Sequence, residues 1–168
     1  MKKIAVLVER QFQDLEVLYP YYRLKEEGFD SKLVAPEKKE YKGKNSYPVF
    51  SEMAIDEALK QKWDAVVIPG GWAPDYLRRN EKIVGFVKKM FYDKKVVASI
   101  CHGASVLVSA RVCKNKRMTC FHAIKDDVIY AGGKYEDKEV VVDGNLVTSR
   151  KPEDLPAFCR ETIKLLKG

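Results

Sequence analysis

The sequence predicts an α/β protein built on a doubly wound, mostly parallel sheet. Short apolar runs, typical of strands buried on both faces, alternate along the chain with segments of helical periodicity. Repeated βα units of this kind place helices on both faces of one sheet. The length of 168 residues fits one domain, and no repeat, low-complexity tract or linker divides it. We therefore expect residues 1–168 to form a single domain.

The N-terminal elements illustrate the pattern. Lys3–Val8 is an apolar run that ends in charge, as a buried strand does. Asp14 is expected to cap a helix that Gly28 closes, and Pro20 predicts a kink or a late helix start. This helix carries one apolar face, formed by Leu15, Leu18, Tyr19 and Tyr22.

The later elements continue the alternation, with Asn80 as a helix cap and Asp143-Gly144-Asn145 as a hairpin turn. The predicted strands and hairpins are Ser31–Ala35, an antiparallel excursion over 40–52, Asp64–Ile68, Val96–Ile100, Met118–Cys120 and Glu139–Ser149. The predicted helices are Ala54–Lys60, one that follows Asn80, one that follows Cys101-His102-Gly103, Ile124–Tyr130, and a final helix from Pro152 to Leu166.

Composition excludes several classes of function. Lysine and arginine outnumber aspartate and glutamate by 31 to 24, giving a net charge of +7. The basic clusters lack interleaved aromatics, so they favour a solvated surface over nucleic-acid binding, and no nucleic-acid partner is expected. No apolar run approaches the roughly 18 residues of a membrane span, and the N-terminal run is too short for a signal peptide. We expect a cytoplasmic protein with no membrane partner.

The strongest chemical signal is the segment Ile100-Cys101-His102-Gly103, where a buried strand gives way to a helix. A sharp strand-to-helix turn projects the central side chain and places it over the first amides of the helix, which favour a thiolate. This is the logic of a nucleophile elbow with cysteine in place of serine. The alternative is an inert core cysteine, as most free cysteines are.

A second strand ends at Pro69-Gly70-Gly71. Paired glycines leave backbone N–H groups bare and able to face an oxyanion, although Pro-Gly-Gly is also an ordinary turn. The carboxyl ends of parallel strands are where such sheets bind ligands. Gly70 and Gly71 are therefore candidate oxyanion residues beside Cys101.

The remaining cysteines and histidine give weaker signals. Cys113 and Cys159 lie among helical apolar residues and are expected in the core, and the absence of C-x-x-C spacing favours free thiols. His122 is a near-site candidate, but one histidine at a helix start is more often a surface cap. A zinc set of Cys101, His102, Cys120 and His122 matches no common spacing. No metal and no cofactor are expected.

These motifs together resemble the PfpI-type intracellular cysteine peptidases (the ThiJ/PfpI family of the class I glutamine-amidotransferase-like superfamily) over the whole chain. The resemblance implies a flavodoxin-like fold and extends to relatives described as chaperones, glyoxalases and protein deglycases. Its carriers are Asp14-Leu15-Glu16, Tyr19-Pro20-Tyr21, Arg23–Gly28, Pro69-Gly70-Gly71 with Ala73-Pro74, Ala98–Gly103, Ile124–Asp127, Val140–Asn145 and Thr148-Ser149-Arg150.

The resemblance implies roles for individual residues. Cys101 is the nucleophile, His102 the adjacent base, and the amides of Gly71 and His102 the oxyanion donors. The orienting carboxylate of the peptidases is a glutamate from a neighbouring subunit, and Asp75 occupies its position here. The family forms dimers that associate into hexameric rings, so a homo-oligomer with a shared site is expected.

Three departures from the family pattern are expected to matter. Gln13 stands where we expect a glutamate that touches the cysteine sulfur. Ala104-Ser105 replaces a proline and a polar residue after the elbow. Phe121 replaces a pocket tyrosine and so lacks its hydroxyl.

The predicted function is a cysteine-dependent hydrolase of peptide or glycated carbonyl substrates, such as methylglyoxal adducts. The sequence does not choose between peptidase and deglycase. A second hypothesis is a redox-responsive, protective protein in which Cys101 is oxidised instead of catalytic. A third, nucleic-acid binding through the net charge, is the weakest.

Overall fold

The computed structural model describes every residue from Met1 to Gly168. The strands are β1 Lys3–Leu7, β2 Asp30–Ala35, β3 Glu40–Lys42, β4 Pro48–Phe50, β5 Met53–Ala54, β6 Ala65–Ile68, β7 Val96–Ile100, β8 Arg117–Met118, β9 Lys134–Tyr135, β10 Val140–Asp143 and β11 Leu146–Ser149. The α-helices are α1 Asp14–Glu26, α2 Ile55–Ala58, α3 Ala73–Leu77, α4 Glu81–Tyr92, α5 Ala104–Ser109, α6 Lys125–Tyr130 and α7 Leu155–Lys167.

Seven of these strands form one sheet in the order β10-β11-β7-β6-β1-β2-β5. All pairs are parallel except the edge pair β10–β11, which is the predicted hairpin. The central strands are buried almost completely because helices cover both faces, and one continuous apolar core includes their side chains. The predicted doubly wound α/β fold is confirmed.

The first helix differs from its prediction in three ways. It begins at Asp14, but the capping side chain is Gln13, whose Oε1 accepts from the amides of Leu15 and Glu16 at 2.7 and 3.3 Å. It continues through Pro20 instead of starting after it, although Pro20 cannot donate to the carbonyl one turn earlier. Its Leu15 and Tyr22 face is exposed, and the buried face contains Glu16 and Val17.

The sheet order brings three chain segments together. Strands β1, β6 and β7 are parallel neighbours, so the segments after Leu7, Ile68 and Ile100 all leave the same edge. An isolated bridge between Phe12 and Gly71 fastens the first segment to the second. The predicted elbow, the paired glycines and the start of α1 therefore meet at one place.

None of the helices is both long enough and apolar enough to cross a membrane.

Candidate active site

Cys101 is the first residue after β7 and has a left-handed backbone conformation, with φ of 60°. This conformation costs a residue with a side chain on the order of 1–2 kcal/mol, so the surroundings must hold it in place. Its carbonyl accepts the Phe121 amide at 3.1 Å. Gly103 packs so closely that a Cβ there would lie 2.6 Å from the Ile68 carbonyl oxygen. The predicted elbow is present, and the sulfur lies at the carboxyl edge of the sheet.

Two backbone amides, those of His102 and Gly71, lie close enough to the sulfur to lower the pKa of Cys101. Gly71 has a φ of 74°, and a Cβ there would lie 2.5 Å from the Gln11 carbonyl oxygen, so only glycine fits. The expected role of Gly70 is wrong. Its amide donates to the Glu16 carboxylate at 2.7 Å and is not free to bind an oxyanion.

The side chain beside the sulfur of Cys101 is the carboxylate of Glu16, not the amide of Gln13. A Cβ built at Gly70 would lie 2.5 Å from Glu16 Oε2 and 2.9 Å from Cys101 Sγ, so both groups close around this glycine. Gln13 lines the same cavity, but its side-chain oxygen is occupied as the helix cap. Our expectation that the glutamate had been replaced is therefore wrong, because Glu16 reaches the sulfur from the first turn of α1.

The Glu16 carboxyl is completely buried, and one of its oxygens has no hydrogen-bond partner. Burial raises its pKa to about 7, although the Gly70 amide, the Cys101 thiol and Lys44 act in the opposite direction. When protonated, a carboxyl beside the sulfur is able to donate a hydrogen bond to it.

The thiol of Cys101 is more strongly protonated than the elbow alone predicts. Burial and the charge of Glu16 raise its pKa to about 12, while the amides of His102 and Gly71 lower it. The amides act in the predicted direction, but burial and the carboxylate outweigh them. A free thiolate therefore requires that its proton be removed locally.

His102 is positioned to take that proton, because its Nδ1 lies 3.4 Å from the sulfur of Cys101. Burial and the positive charge of Lys44 lower the pKa of His102, so the imidazole is neutral and able to accept a proton. The ring stacks on Phe121 at a centroid distance of 4.8 Å and, further away, on Trp72 at 6.5 Å.

The sulfur lines a cavity of about 220 Å³. Lys44 is at its rim, and Trp72 and Phe121 form aromatic walls. The complete lining is Gln13, Glu16, Lys44, Gly71, Trp72, Cys101, His102, Phe121 and Pro152. Cys113, Cys120 and Cys159 are buried without lining it, as predicted for the first and last.

Two other candidates lie apart from the sulfur. His122 is exposed at the start of a short 3-10 helix and does not line the cavity, so its place among the near-site residues is wrong. Asp75 shares a neighbouring cavity with His102 but forms its ion pair with Arg79, in the turn after α3, and no hydrogen bond joins it to His102 within one chain.

Fold and site together define an α/β protein with a cysteine elbow enclosed by two amides, a neutral histidine and a buried glutamate. The sequence model of the DJ-1/PfpI family matches residues 2–165, and the chain belongs to this family. It is similar to "Deglycase PfpI" of Pyrococcus furiosus, with 48% identity over 98% of this chain and 99% of that protein.

Two further relatives have comparable coverage of this chain. "Putative cysteine protease YraA" of Bacillus subtilis is 43% identical over 99% of both proteins. A two-domain protein of Anabaena variabilis, with DJ-1/ThiJ/PfpI-like and ferritin-like domains, superposes with a TM-score of 0.97 and 40% identity. That match covers 99% of this chain and 48% of the larger protein.

The buried carboxyl predicts a pH-dependent stability. Glu16 has a native pKa of about 7 against 4.5 for the free group, so the native state holds more protons between these values and its stability falls as pH rises. Glu16→Gln removes this loss, which amounts to about 3 kcal/mol. We expect denaturant unfolding of wild type and variant to diverge by that amount between about pH 4 and about pH 8.

Glu26→Gln is the matched control, because Glu26 is an exposed carboxylate on the same helix. Its unfolding should follow the wild-type pH dependence. Parallel curves for wild type and Glu16→Gln would show that the carboxyl titrates normally.

Proposed function

We propose that the protein is a cysteine-dependent hydrolase that acts on small glycated carbonyl adducts, with short peptides as a second substrate class. The observation that carries the proposal is the single sulfur of Cys101, which contacts a neutral imidazole and faces two amides in one cavity. A volume of about 220 Å³ suits an aminocarbinol adduct better than an extended peptide. The names of the relatives include both deglycase and cysteine protease.

The proposed chemistry begins with the Cys101 sulfur attacking the substrate carbonyl while His102 accepts the thiol proton. The carbonyl oxygen becomes an oxyanion, which the amides of Gly71 and His102 are placed to bind. On a peptide, the imidazolium of His102 then gives that proton to the departing amine as the C–N bond breaks, and water attacks the resulting thioester to release the acid and restore the thiol. Glu16, whose pKa is raised to about 7, holds a further proton near the same sulfur. The mechanism needs no free thiolate in the resting protein.

The redox hypothesis remains the second candidate, because Cys101 lines a cavity together with His102 and is thus reachable by a small oxidant. In that case peroxide converts the sulfur to sulfinate without turnover of any carbonyl substrate. Four unpaired thiols also suit a reducing compartment, so we propose a cytoplasmic location.

Turnover separates these candidates. Wild type, Cys101→Ser and the control Cys113→Ser are assayed on a methylglyoxal adduct of an N-acetylated amino acid and on a fluorogenic peptide. We expect Cys101→Ser to lose about 100-fold or more in rate, because the nucleophile is gone, while Cys113→Ser stays active. No turnover by wild type on either substrate, with stable sulfinate after mild peroxide by intact mass, would reject the hydrolase.

We further propose a homo-oligomer, a dimer or a hexamer, in which Asp75 orients His102 of a neighbouring subunit. The Asp75 side chain is exposed, and His102 has no carboxylate partner within its own chain. Leu15 and Tyr22 are exposed on α1, where they line one cavity with Leu18 and Tyr19, and Trp72 is exposed at the site. Contiguous exposed apolar side chains such as those on α1 mark interaction surfaces.

Subunit mixing tests this arrangement. Cys101→Ser lacks the nucleophile and Asp75→Asn lacks the orienting charge, so each alone should be nearly inactive. Mixed and reassembled subunits should regain activity, because some interfaces then combine an intact Cys101 with an intact Asp75. The control pairs Cys101→Ser with Asp127→Asn, a carboxylate on the same cavity as Asp75, which should keep full activity before mixing. Full activity of Asp75→Asn alone would exclude the role.

A further inference from the structure

Lys44 is the only permanent cation that lines the Cys101 cavity, since the other lining residues are acidic, apolar or neutral and His102 is held uncharged. Its ammonium has no carboxylate within 4.0 Å, so no ion pair within the chain neutralises its charge. The positive charge nevertheless reaches into the site, because it lowers the pKa of both Glu16 and His102. An unpaired cation therefore faces the space where substrate must sit.

The backbone that presents Lys44 is fixed. Lys44 lies in the turn between β3 and β4, and its amide donates to the Phe12 carbonyl at 2.8 Å. The next residue, Asn45, is held by the buried Asp14 carboxylate, which accepts its backbone amide at 3.1 Å and its side-chain amide at 3.0 Å. Gly43 packs so closely against Asp14 that a Cβ would lie 2.5 Å from Oδ1. The turn is thus fastened to the start of α1, the helix that carries Glu16.

We propose that Lys44 determines substrate specificity by binding a carboxylate close to the reacting carbonyl. The preferred substrates are then small carbonyl adducts of free amino acids, whose α-carboxylate lies a few bonds from the adduct, over neutral adducts of the same size. This inference rests on the proposed function, because it names the substrate class of the same cavity. Trp72 and Phe121 supply the apolar walls beside the cation.

The alternative is that Lys44 acts only on the nucleophile, by stabilising negative charge on Glu16 or on the sulfur. The two roles differ in one respect. A role on the nucleophile changes the reactivity of Cys101 toward every reagent equally, whereas a carboxylate-binding role changes only its reactivity toward anionic reagents.

Alkylation of Cys101 in the full-length protein separates the roles. Iodoacetate and iodoacetamide are of similar size and differ in charge, so the ratio of their rates, followed by intact mass near neutral pH at low ionic strength, isolates the effect of charge. We expect Lys44→Met to lower the iodoacetate-to-iodoacetamide ratio by about 5- to 10-fold. Lys44→Arg should keep the ratio near wild type, and high salt should lower it in wild type.

Lys42→Met is the matched control, because Lys42 is an exposed lysine two residues away, outside the cavity. It should leave the ratio unchanged. Equal changes for both reagents in Lys44→Met, or an equal loss of ratio in Lys42→Met, would overturn the proposal. Alkylation does not require turnover, so the two proposals fail separately. An unchanged rate ratio in Lys44→Met rejects the carboxylate-binding role of Lys44. A ratio that depends on Lys44, together with no turnover by wild type, rejects only the proposed hydrolase activity.

Discussion

The site depends on one buried contact, that between the carboxyl of Glu16 and the sulfur of Cys101. Both groups close around Gly70, whose missing side chain leaves the space that they share and whose amide holds the carboxyl in place. Two ionisable groups enclosed together resist carrying two negative charges. Burial raises the pKa of Glu16, and burial together with the charge of Glu16 raises the pKa of Cys101, so a neutral His102 is needed to accept the thiol proton.

The fold brings these groups together through the order of its strands. Three parallel neighbours end at one edge, so the start of α1, the paired glycines and the elbow converge without any long loop. The left-handed backbone at Cys101 is held by the tight packing of Gly103 and by the Phe121 amide. Local strain at the nucleophile is thus supported by the sheet behind it, as is common at functional sites.

Much of this arrangement was predictable from sequence. The strand that ends at Ile100 and the glycines after Ile68 are local signals, so the parallel sheet and the elbow followed from apolar runs and turn residues. Glu16 was missed because its role depends on the rotation of α1, which buries one face while leaving the more apolar Leu15 and Tyr22 exposed. The signal in the sequence was the spacing of Glu16, Pro20 and Leu24, which lie four residues apart and therefore on one face of the helix.

Gln13 and Asp75 show the other limit. Gln13 occupies the position where we expected the glutamate, but only the cap geometry reveals that its side-chain oxygen accepts from two helix amides. In our proposal Asp75 acts on His102 of a second subunit. The sequence pattern of one chain shows which side chains are exposed, but not which of them contact another subunit. Helix caps and intersubunit contacts depend on three-dimensional placement that periodicity does not encode.

The protonation of Glu16 is the most direct test of this account. Difference infrared spectroscopy between wild type and Glu16→Gln, followed across pH, isolates the carbonyl band of this one protonated carboxyl. The account predicts that the band persists into the neutral range and disappears with a midpoint of about 7. A midpoint near the ordinary value of 4.5 would contradict it, because the carboxyl would then be ionised beside the sulfur at neutral pH.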